Sequence, residues 1–170
     1  MIDEKVRTAL CLQINKELYS AYFYVAMVAY FEGKNLKGFS NWMQVQVKEE
    51  MTHADKMLRY LLDRGGKPHF DAIDQPPSEW VSPLALFESA LHHETVVTKS
   101  INDLLDVALA ARDHATAQFL QWFVSEQVEE EASFGAVVEQ LRMAGDNGAA
   151  IMMIDRELAT RVFTPPAAGG

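Results

Sequence analysis

The chain has 170 residues, and 49% of them are hydrophobic, which is enough to fill the core of one compact domain. Its formal net charge of −9, from 15 basic and 24 acidic residues, argues against a protein that coats nucleic acid or an anionic membrane, because both are polyanions. Cys11 is the single cysteine, which excludes an internal disulfide, a cysteine-based zinc site and a paired-cysteine redox motif.

The N-terminal segment carries charged residues instead of an apolar export signal, and no apolar run is long enough to span a membrane, so we expect a cytoplasmic protein. The spacing of apolar residues predicts a first helix from about Asp3 to Glu32, ending at Gly33, and a second helix ending at Gly65 and Gly66. Because so few residues join them, these helices are expected to be antiparallel neighbours.

The segment from Lys67 to Val81 contains three prolines and no sustained helical period, which predicts an extended crossover. Its residues could span close to 50 Å at roughly 3.3 Å each, enough to run the length of a bundle. Ser82, followed by proline, predicts the N-cap of a third helix that extends to about Ala111. Asp113 predicts the cap of a fourth helix.

The fourth helix is expected to end near Gly145, and a shorter segment, Ala149 to about Phe163, predicts a small fifth helix. Residues 164–170, TPPAAGG, are expected to form a disordered tail. The predicted architecture is therefore an all-α four-helix bundle over residues 1–163, with one long crossover between helices 2 and 3 and a short fifth C-terminal helix.

Each of the four long helices has an apolar stripe, with steps of three and four residues, that a carboxylate interrupts near its middle. These carboxylates are Glu17, Glu50, Glu94 and Glu130. At about 1.5 Å per residue, all four lie roughly 21 to 26 Å from the loop that joins their helix to its neighbour. They are therefore expected to converge in one layer of the bundle.

A single glutamate on a helix is usually solvated, and a buried one can belong to a structural salt bridge. The four stripes, however, contain no Lys or Arg that would compensate the charges. Buried carboxylates without compensation cost many kcal/mol unless they are protonated or bound to metal. Two divalent cations would balance four carboxylates, which predicts a dinuclear metal centre.

Glu50 and His53 lie three residues apart, so one carboxylate and one imidazole can face the same ion. Mixed oxygen and nitrogen ligation favours iron or manganese over a thiolate zinc site or an all-oxygen calcium site. Tyr24, on the stripe of the first helix, is either an ordinary core tyrosine or a phenol that hydrogen-bonds to the site or supplies an electron to it. His92 and His93 lie off the stripe and are expected to be surface or interhelical polar groups.

The segments NKELYSAYFYVAM, VKEEMTHADKML and FLQWFVSEQVEEE together resemble the non-haem ferritins of bacteria, and the similarity extends over nearly the whole chain, to IDRELAT. The resemblance implies a ferritin-like fold and iron storage with ferroxidase activity, in which dioxygen or hydrogen peroxide oxidises Fe(II) at an intrasubunit di-iron centre. It also implies a homo-oligomeric cage of 24 subunits that holds the Fe(III) mineral, with no nucleic acid or membrane partner.

By this resemblance, Glu17, Glu50 and His53 hold one iron of the ferroxidase centre. Glu50 would bridge to a second iron held by Glu94 and Glu130. The fourth helix departs from the symmetric pattern in which two helices each supply Glu-x-x-His, because Glu130 stands where the histidine would be. The second iron is therefore expected to be held more weakly than the first.

By the same resemblance, Gln127 lies close to the second iron. Tyr24 lies next to the iron ligands without binding iron itself. A third iron site is implied by four glutamates: Glu49, Glu126, Glu129 and Glu130. From the residues alone, these extra acids could equally form a solvated face. No haem is expected: Met51 follows the bridging glutamate as in haem-binding bacterioferritins, but non-haem members share this methionine.

Other classes of protein fit less well. A rubrerythrin-like peroxidase shares the bundle, but its usual rubredoxin module needs paired cysteines. A DNA-protecting mini-ferritin has its site between subunits and often a basic tail, whereas this chain has four intrasubunit stripes and an uncharged tail. A helical scaffold without catalytic activity remains as the last alternative, and it would neither bind nor oxidise iron.

Overall fold

The computed structural model describes residues 2–165, which form helices and connecting segments without any β-strand. The helices are α1 (Glu4–Gly33), α2 (Lys37–Asp63), α3 (Pro83–Ala110), α4 (His114–Ala144) and α5 (Gly148–Leu158). The predicted all-α bundle with a short fifth helix is confirmed. No helix of the described residues is long and apolar enough to cross a membrane.

Four of the helices begin at a side chain that accepts hydrogen bonds from the first turn, and two of these caps, Ser82 and Asp113, are predicted by the sequence. Asp3 accepts from two backbone amides at the start of α1, and Ser82 accepts from one at the start of α3. Asp113 caps α4 by accepting from the amide of Thr116 at 3.1 Å. These caps satisfy amides that have no partner within their own helix.

The start of α2 is capped by a residue of α5. Leu36 stands at the N-cap position and makes no side-chain hydrogen bond. Instead, Asp155 Oδ1 accepts from the amides of Gly38 at 2.8 Å and Phe39 at 3.0 Å. A Cβ on Gly38 would lie 1.5 Å from the carbonyl oxygen of Asp155, so α5 packs this closely only because residue 38 is glycine.

The fifth helix is shorter than its predicted range of 149–163, since it ends at Leu158. Asn41 of α2 explains the difference. Its side-chain amide donates to the carbonyl oxygens of Leu158 at 3.3 Å and Arg161 at 3.0 Å, which draws the chain out of the helix and along α2. Residues 164 and 165 are not helical, whereas residues 166–170 of the predicted disordered tail lie outside the described part of the chain.

The crossover between α2 and α3 contains no helix or strand, as predicted, and it follows α1. Near its start, the carbonyl oxygen of Lys67 accepts from Arg7 at 2.9 Å. Further along, Ala72 accepts from Asn15 at 3.3 Å, and Trp80 packs against aromatic rings in the second half of α1. The crossover therefore runs parallel to α1, which makes α3 antiparallel to α1.

The buried apolar residues form two clusters at opposite ends of the bundle. One cluster contains the later part of α1, the beginnings of α2 and α3 and the later part of α4. The other contains the opposite part of each of these helices. The four glutamates at positions 17, 50, 94 and 130 are buried between the clusters, which confirms that they share one layer.

Candidate metal centre

One half of the polar layer is a cluster of three buried ligand groups from α1 and α2. Glu17, Glu50 and His53 each offer a ligand atom, and these atoms lie within 4.8 Å of one another. His53 Nδ1 is 3.5 Å from Glu50 Oε2 and 3.8 Å from Glu17 Oε2. The helical spacing of Glu50 and His53 therefore brings both side chains to the same point, as the sequence predicts.

Glu17 shows that the cluster fits a cation. Its Oε1 accepts a hydrogen bond from Gln13 Nε2 at 2.7 Å. Its Oε2 is buried and has no hydrogen-bond partner among the described residues. An acceptor that is buried without a partner is unfavourable, and a metal ion between Glu17, Glu50 and His53 would satisfy it.

The other half of the layer contains Glu94 of α3, which already has hydrogen-bond donors on both oxygens. The Tyr24 hydroxyl donates to Oε1, so the predicted contact of this phenol with the site is present. Gln127 Nε2 donates to Oε2 at 3.1 Å and also to Thr98 Oγ1 at 3.2 Å. The amide nitrogen of Gln127 thus faces Glu94 and acts as a donor.

Glu130 of α4 is buried in the same half and is held by α2. Gln46 Nε2 donates to Glu130 Oε2 at 2.9 Å. Gln46 Oε1 is itself buried without a partner among the described residues. Neither Glu94 nor Glu130 belongs to the cluster of Glu17, Glu50 and His53.

Burial raises the pKa of most of the carboxylates in the layer. It raises the pKa of Glu94 to about 7, against the hydrogen bonds from Tyr24 and Gln127, which lower it. It raises the pKa of Glu130 to about 8, with a further contribution from the charge of Glu94. The pKa of Glu50 is also well above its usual range, because burial and the charge of Glu94 outweigh the effect of His53.

His53 and Glu17 shift in the opposite sense to isolated buried groups. Burial lowers the pKa of His53, but the facing carboxylates of Glu17 and Glu50 raise it well above its ordinary value. Burial raises the pKa of Glu17, but His53 and Gln13 bring it below the usual value. Without metal, the layer therefore holds protons as its counter-charges, and these must leave when cations bind.

The acids predicted for a third iron site lie at the edge of this layer. Glu49 is partly buried and forms an ion pair with Arg161, with Nη2 and Oε2 2.7 Å apart. Glu126 is partly buried and Glu129 is exposed. Burial raises the pKa of Glu126, and the neighbouring charge of Glu129 adds to this effect. Arg161 is therefore a cation beside one of the predicted ligands.

The sequence did not identify the hydrogen-bond partners of the ligands. Gln13 lies four residues before Glu17, so its helical spacing is a signal that could have found it. Gln46 donates to Glu130 on another helix, and its position four residues before Glu50 does not reveal that contact. Ser100, which donates to Gln13, comes from another helix and gives no such signal. His93 is an interhelical polar group, as expected, because its Nε2 lies 2.8 Å from Ser20 Oγ.

Comparison with known proteins assigns this chain to a family. The family model described as Ferritin-like domain matches residues 7–144. A bacterial non-heme ferritin of Bacteroides fragilis is 44% identical over 161 residues, which cover 95% of this chain and 100% of the relative. A bacterial non-heme ferritin of Staphylococcus aureus is 37% identical over 163 residues, which cover 96% of this chain and 98% of the relative.

Solved structures of ferritins are also similar to this chain. An open-pore ferritin from Archaeoglobus fulgidus is 51% identical, superimposes with a TM-score of 0.94, and matches 95% of this chain and 100% of the archaeal one. A variant of the Archaeoglobus fulgidus ferritin, engineered to a closed form, is 52% identical with a TM-score of 0.95, covering 96% of this chain and 100% of the variant. The resemblance to bacterial non-haem ferritins is thereby confirmed, and the chain belongs to the ferritin family of iron-storage proteins.

Proposed function

We propose that this chain is a ferroxidase, which oxidises Fe(II) at the buried layer and stores the Fe(III) product inside a homo-oligomeric cage. The observation that carries the proposal is the cluster of Glu17, Glu50 and His53, in which Glu17 Oε2 has no hydrogen-bond donor among the described residues. Two Fe(II) ions supply two electrons, enough to reduce dioxygen to hydrogen peroxide or hydrogen peroxide to water.

The protein's own residues would bind and orient the ions. Glu17 and His53 would hold the first iron, Glu50 would bridge, and Glu94 and Glu130 would hold the second. Carboxylate oxygens are hard anionic ligands, which favour Fe(III) over Fe(II) and so promote oxidation. Because Glu50, Glu94 and Glu130 have raised pKa values in the metal-free protein, iron binding should release protons.

The extra acids support a third iron position at the edge of the layer. Glu49, Glu126 and Glu129 would form it together with Glu130. Arg161 now pairs with Glu49, so an ion at this position would have to displace the guanidinium. We therefore expect the third position to fill after the two positions of the buried layer.

The test of the proposed activity is aerobic addition of Fe(II) to the metal-free protein, with absorbance of the ferric product as the readout. We expect rapid oxidation by the parent protein and a loss of at least about tenfold in initial rate for Glu50→Ala, since removal of a bridging ligand disrupts both ion positions. Glu139→Ala is the matched control, because this glutamate of α4 is exposed and forms a surface ion pair with Arg142, away from the buried layer.

An unchanged rate in Glu50→Ala would show that the site is wrongly assigned. If the parent protein did not oxidise iron, the proposed activity would be wrong, and the chain would be a helical scaffold without catalytic activity. A Soret band in the purified protein would contradict the expectation of a non-haem protein.

The cage is proposed from the family and from the apolar surface of the chain. Leu12, Tyr22, Val25 and Val96 are about half exposed, and such side chains are suited to contacts between subunits. Sedimentation velocity of the native protein should give a single large species that corresponds to about 24 chains, as the closed symmetry of ferritins requires. A monomer or dimer under native conditions would exclude the cage.

A further inference from the structure

A row of hydrogen bonds connects a surface lysine to the buried ligand Glu17. Lys16 Nζ donates to Ser100 Oγ at 2.8 Å. Ser100 Oγ donates to Gln13 Oε1, and Gln13 Nε2 donates to Glu17 Oε1 at 2.7 Å. Ser100 and Gln13 are buried, at 7% and 2% exposure, so bulk water does not compete for these bonds. The row therefore joins the outer surface of α1 to the metal centre through α3.

The chemistry of the four groups gives this row a single direction. An ammonium group has donors and no acceptor, so Ser100 must accept from Lys16 and is left to donate its own hydrogen onward. An ionised carboxylate has acceptors and no donor, so the amide nitrogen of Gln13 must face Glu17. The amide oxygen of Gln13 then faces Ser100, where it accepts. Lys16 and Glu17 at the two ends thus determine the orientation of both groups between them.

We infer that Lys16, acting through Ser100 and Gln13, is a positioning residue that holds Glu17 in the rotamer whose second oxygen is free to bind a metal ion. This inference rests on the proposed function, because it assigns the cluster of Glu17, Glu50 and His53 as a metal site. Gln13 donates to Oε1 of the carboxylate, and Oε2, which faces His53 Nδ1 at 3.8 Å, has no hydrogen-bond donor among the described residues.

Loss of the lysine would make a second arrangement available. Without the ammonium, the hydroxyl hydrogen of Ser100 can turn toward the space that Lys16 leaves, and the Ser100 oxygen can then accept from the amide nitrogen of Gln13. The amide of Gln13 would then turn over and present its oxygen to the Glu17 carboxylate, and two facing acceptors repel. Glu17 would rotate away or keep a proton, and in either case the ion would lose a preorganised ligand.

Binding of Co(II) under anaerobic conditions tests the inference without any redox reaction. The visible absorption of the bound ion reports ligand geometry, and calorimetry gives the affinity of the first ion. Partners of metal ligands are worth about 10- to 100-fold in affinity, so Gln13→Leu should weaken the first site by about that factor. Lys16→Met and Ser100→Ala should each weaken it several-fold, with a changed absorption spectrum.

The conservative variant and a matched control separate positioning from a general charge effect. Lys16→Arg keeps a donor at Ser100 and should restore the affinity and spectrum of the parent protein. Lys99→Met removes the same charge next to Ser100, but Lys99 pairs with Asp103 at 2.6 Å, so its variant should bind Co(II) as the parent does. Because the row is linear, Lys16→Met should add little once Ser100 has been replaced by Ala.

Two results would overturn the inference. If Lys16→Met bound the first Co(II) as the parent and Lys99→Met do, the lysine would have no positioning role, while the metal centre itself would stand. If the parent protein bound no Co(II), or if Glu50→Ala bound it as the parent does, the proposed metal centre would be wrong. The positioning role would then be wrong as well. Thermal unfolding of each variant shows that the compared proteins are folded.

Discussion

Glu17 and Glu94 receive hydrogen bonds in different ways, and this difference bears on the order in which ions bind. Among the described residues, Glu17 has a hydrogen-bond donor on one oxygen only, whereas Glu94 has a donor on each oxygen. Burial also raises the pKa of Glu94 to about 7, whereas the pKa of Glu17 lies below its usual value, so an ion at Glu94 has to displace a proton near neutral pH. We expect the cluster that contains Glu17 to fill first.

Tyr24→Phe tests the role of the phenol at Glu94. The variant removes a donor from a buried carboxylate, so the pKa of Glu94 should rise further and its affinity for a cation at neutral pH should fall. We predict that the second Co(II) binds several-fold more weakly, while the first binds as in the parent protein. A titration that resolves the two ions provides the measurement.

Tyr22→Phe is the matched control, since Tyr22 lies on the same helix outside the buried layer, and phenylalanine keeps the ring that the proposed subunit contact needs. If Tyr24→Phe bound both ions as the Tyr22 variant does, the phenol would be only a core residue, which is the other interpretation that the sequence allows.

At the level of single residues, the sequence was sufficient to predict that Glu17, Glu50 and His53 come together, and insufficient for the groups that orient them. Glu17, Glu50 and His53 could be predicted because helical spacing alone places them on one buried face. The bond from Ser100 to Gln13 could not, because it depends on how α3 packs against α1. The donor role of Gln127 likewise became visible only with Glu94 and Thr98 in place.

Among the elements, α5 depends most on one position of another helix. Gly38→Ala would place a Cβ 1.5 Å from the backbone of Asp155, and a backbone atom cannot move aside as a flexible side chain can. We predict that α5 detaches from the start of α2 and that the free energy of unfolding falls by about 2 to 4 kcal/mol, from the lost cap and the steric strain. Chemical denaturation and the rate of proteolysis within α5 provide the measurements.

Gly135→Ala is the control for this substitution, because Gly135 lies within α4 and an added Cβ there meets no atom within 4 Å. It should stabilise the protein by up to about 1 kcal/mol, since alanine favours helix over glycine. Equal effects of the two substitutions would contradict the close packing of α5 on Gly38.

The helix boundaries show that the sequence reveals caps that act within one helix but not caps that come from another helix. Ser82 and Asp113 were predicted as caps because they act on their own helix within three residues. Asp155 acts as a cap across 117 residues, and no local pattern marks it. For the same reason the end of α5 was predicted too late, since Asn41 of α2 binds the carbonyl groups at that end.

For the whole molecule, the protonated layer makes the stability of the metal-free protein depend on pH. Glu94 and Glu130 have pKa values of about 7 and about 8 in the folded chain, whereas both would ionise near 4.5 when unfolded. From pH 6.5 to 8.5 the folded state therefore holds protons that the unfolded state lacks. Raising the pH removes them, so stability should fall by on the order of 2 kcal/mol over this range.

Other groups of the layer do not reverse this sign. The pKa of His53 is raised, so its contribution is also lost as the pH rises through the folded value. The pKa of His93 is lowered to about 4, which affects stability only below the ordinary value of 6.5. Thermal unfolding at several pH values in the presence of a chelator gives the measurement. In Glu130→Gln, stability should depend less steeply on pH than in the parent protein. Constant or rising stability over this range would contradict the protonated layer.

The arrangement of the bundle as a whole could be predicted because it depends on lengths. Helix lengths place the four carboxylates at one level, and the proline-rich crossover is long enough to follow α1 to its far end. The resulting division of the core into two apolar clusters follows from the same counting. Sequence periodicity does not show which surface contacts other subunits, because an exposed apolar residue has the same pattern in either case.

The cap that Asp155 provides for α2 also sets an order of events during synthesis. During translation, Asp155 is added 117 residues after Gly38. Until then, the amides in the first turn of α2 can bond only to water. α1 and α2 can pair early, but the end of α2 that meets α5 stays unfinished until the last helix has emerged. A nascent chain that lacks α5 should therefore expose this end to chaperones and proteases for as long as translation continues.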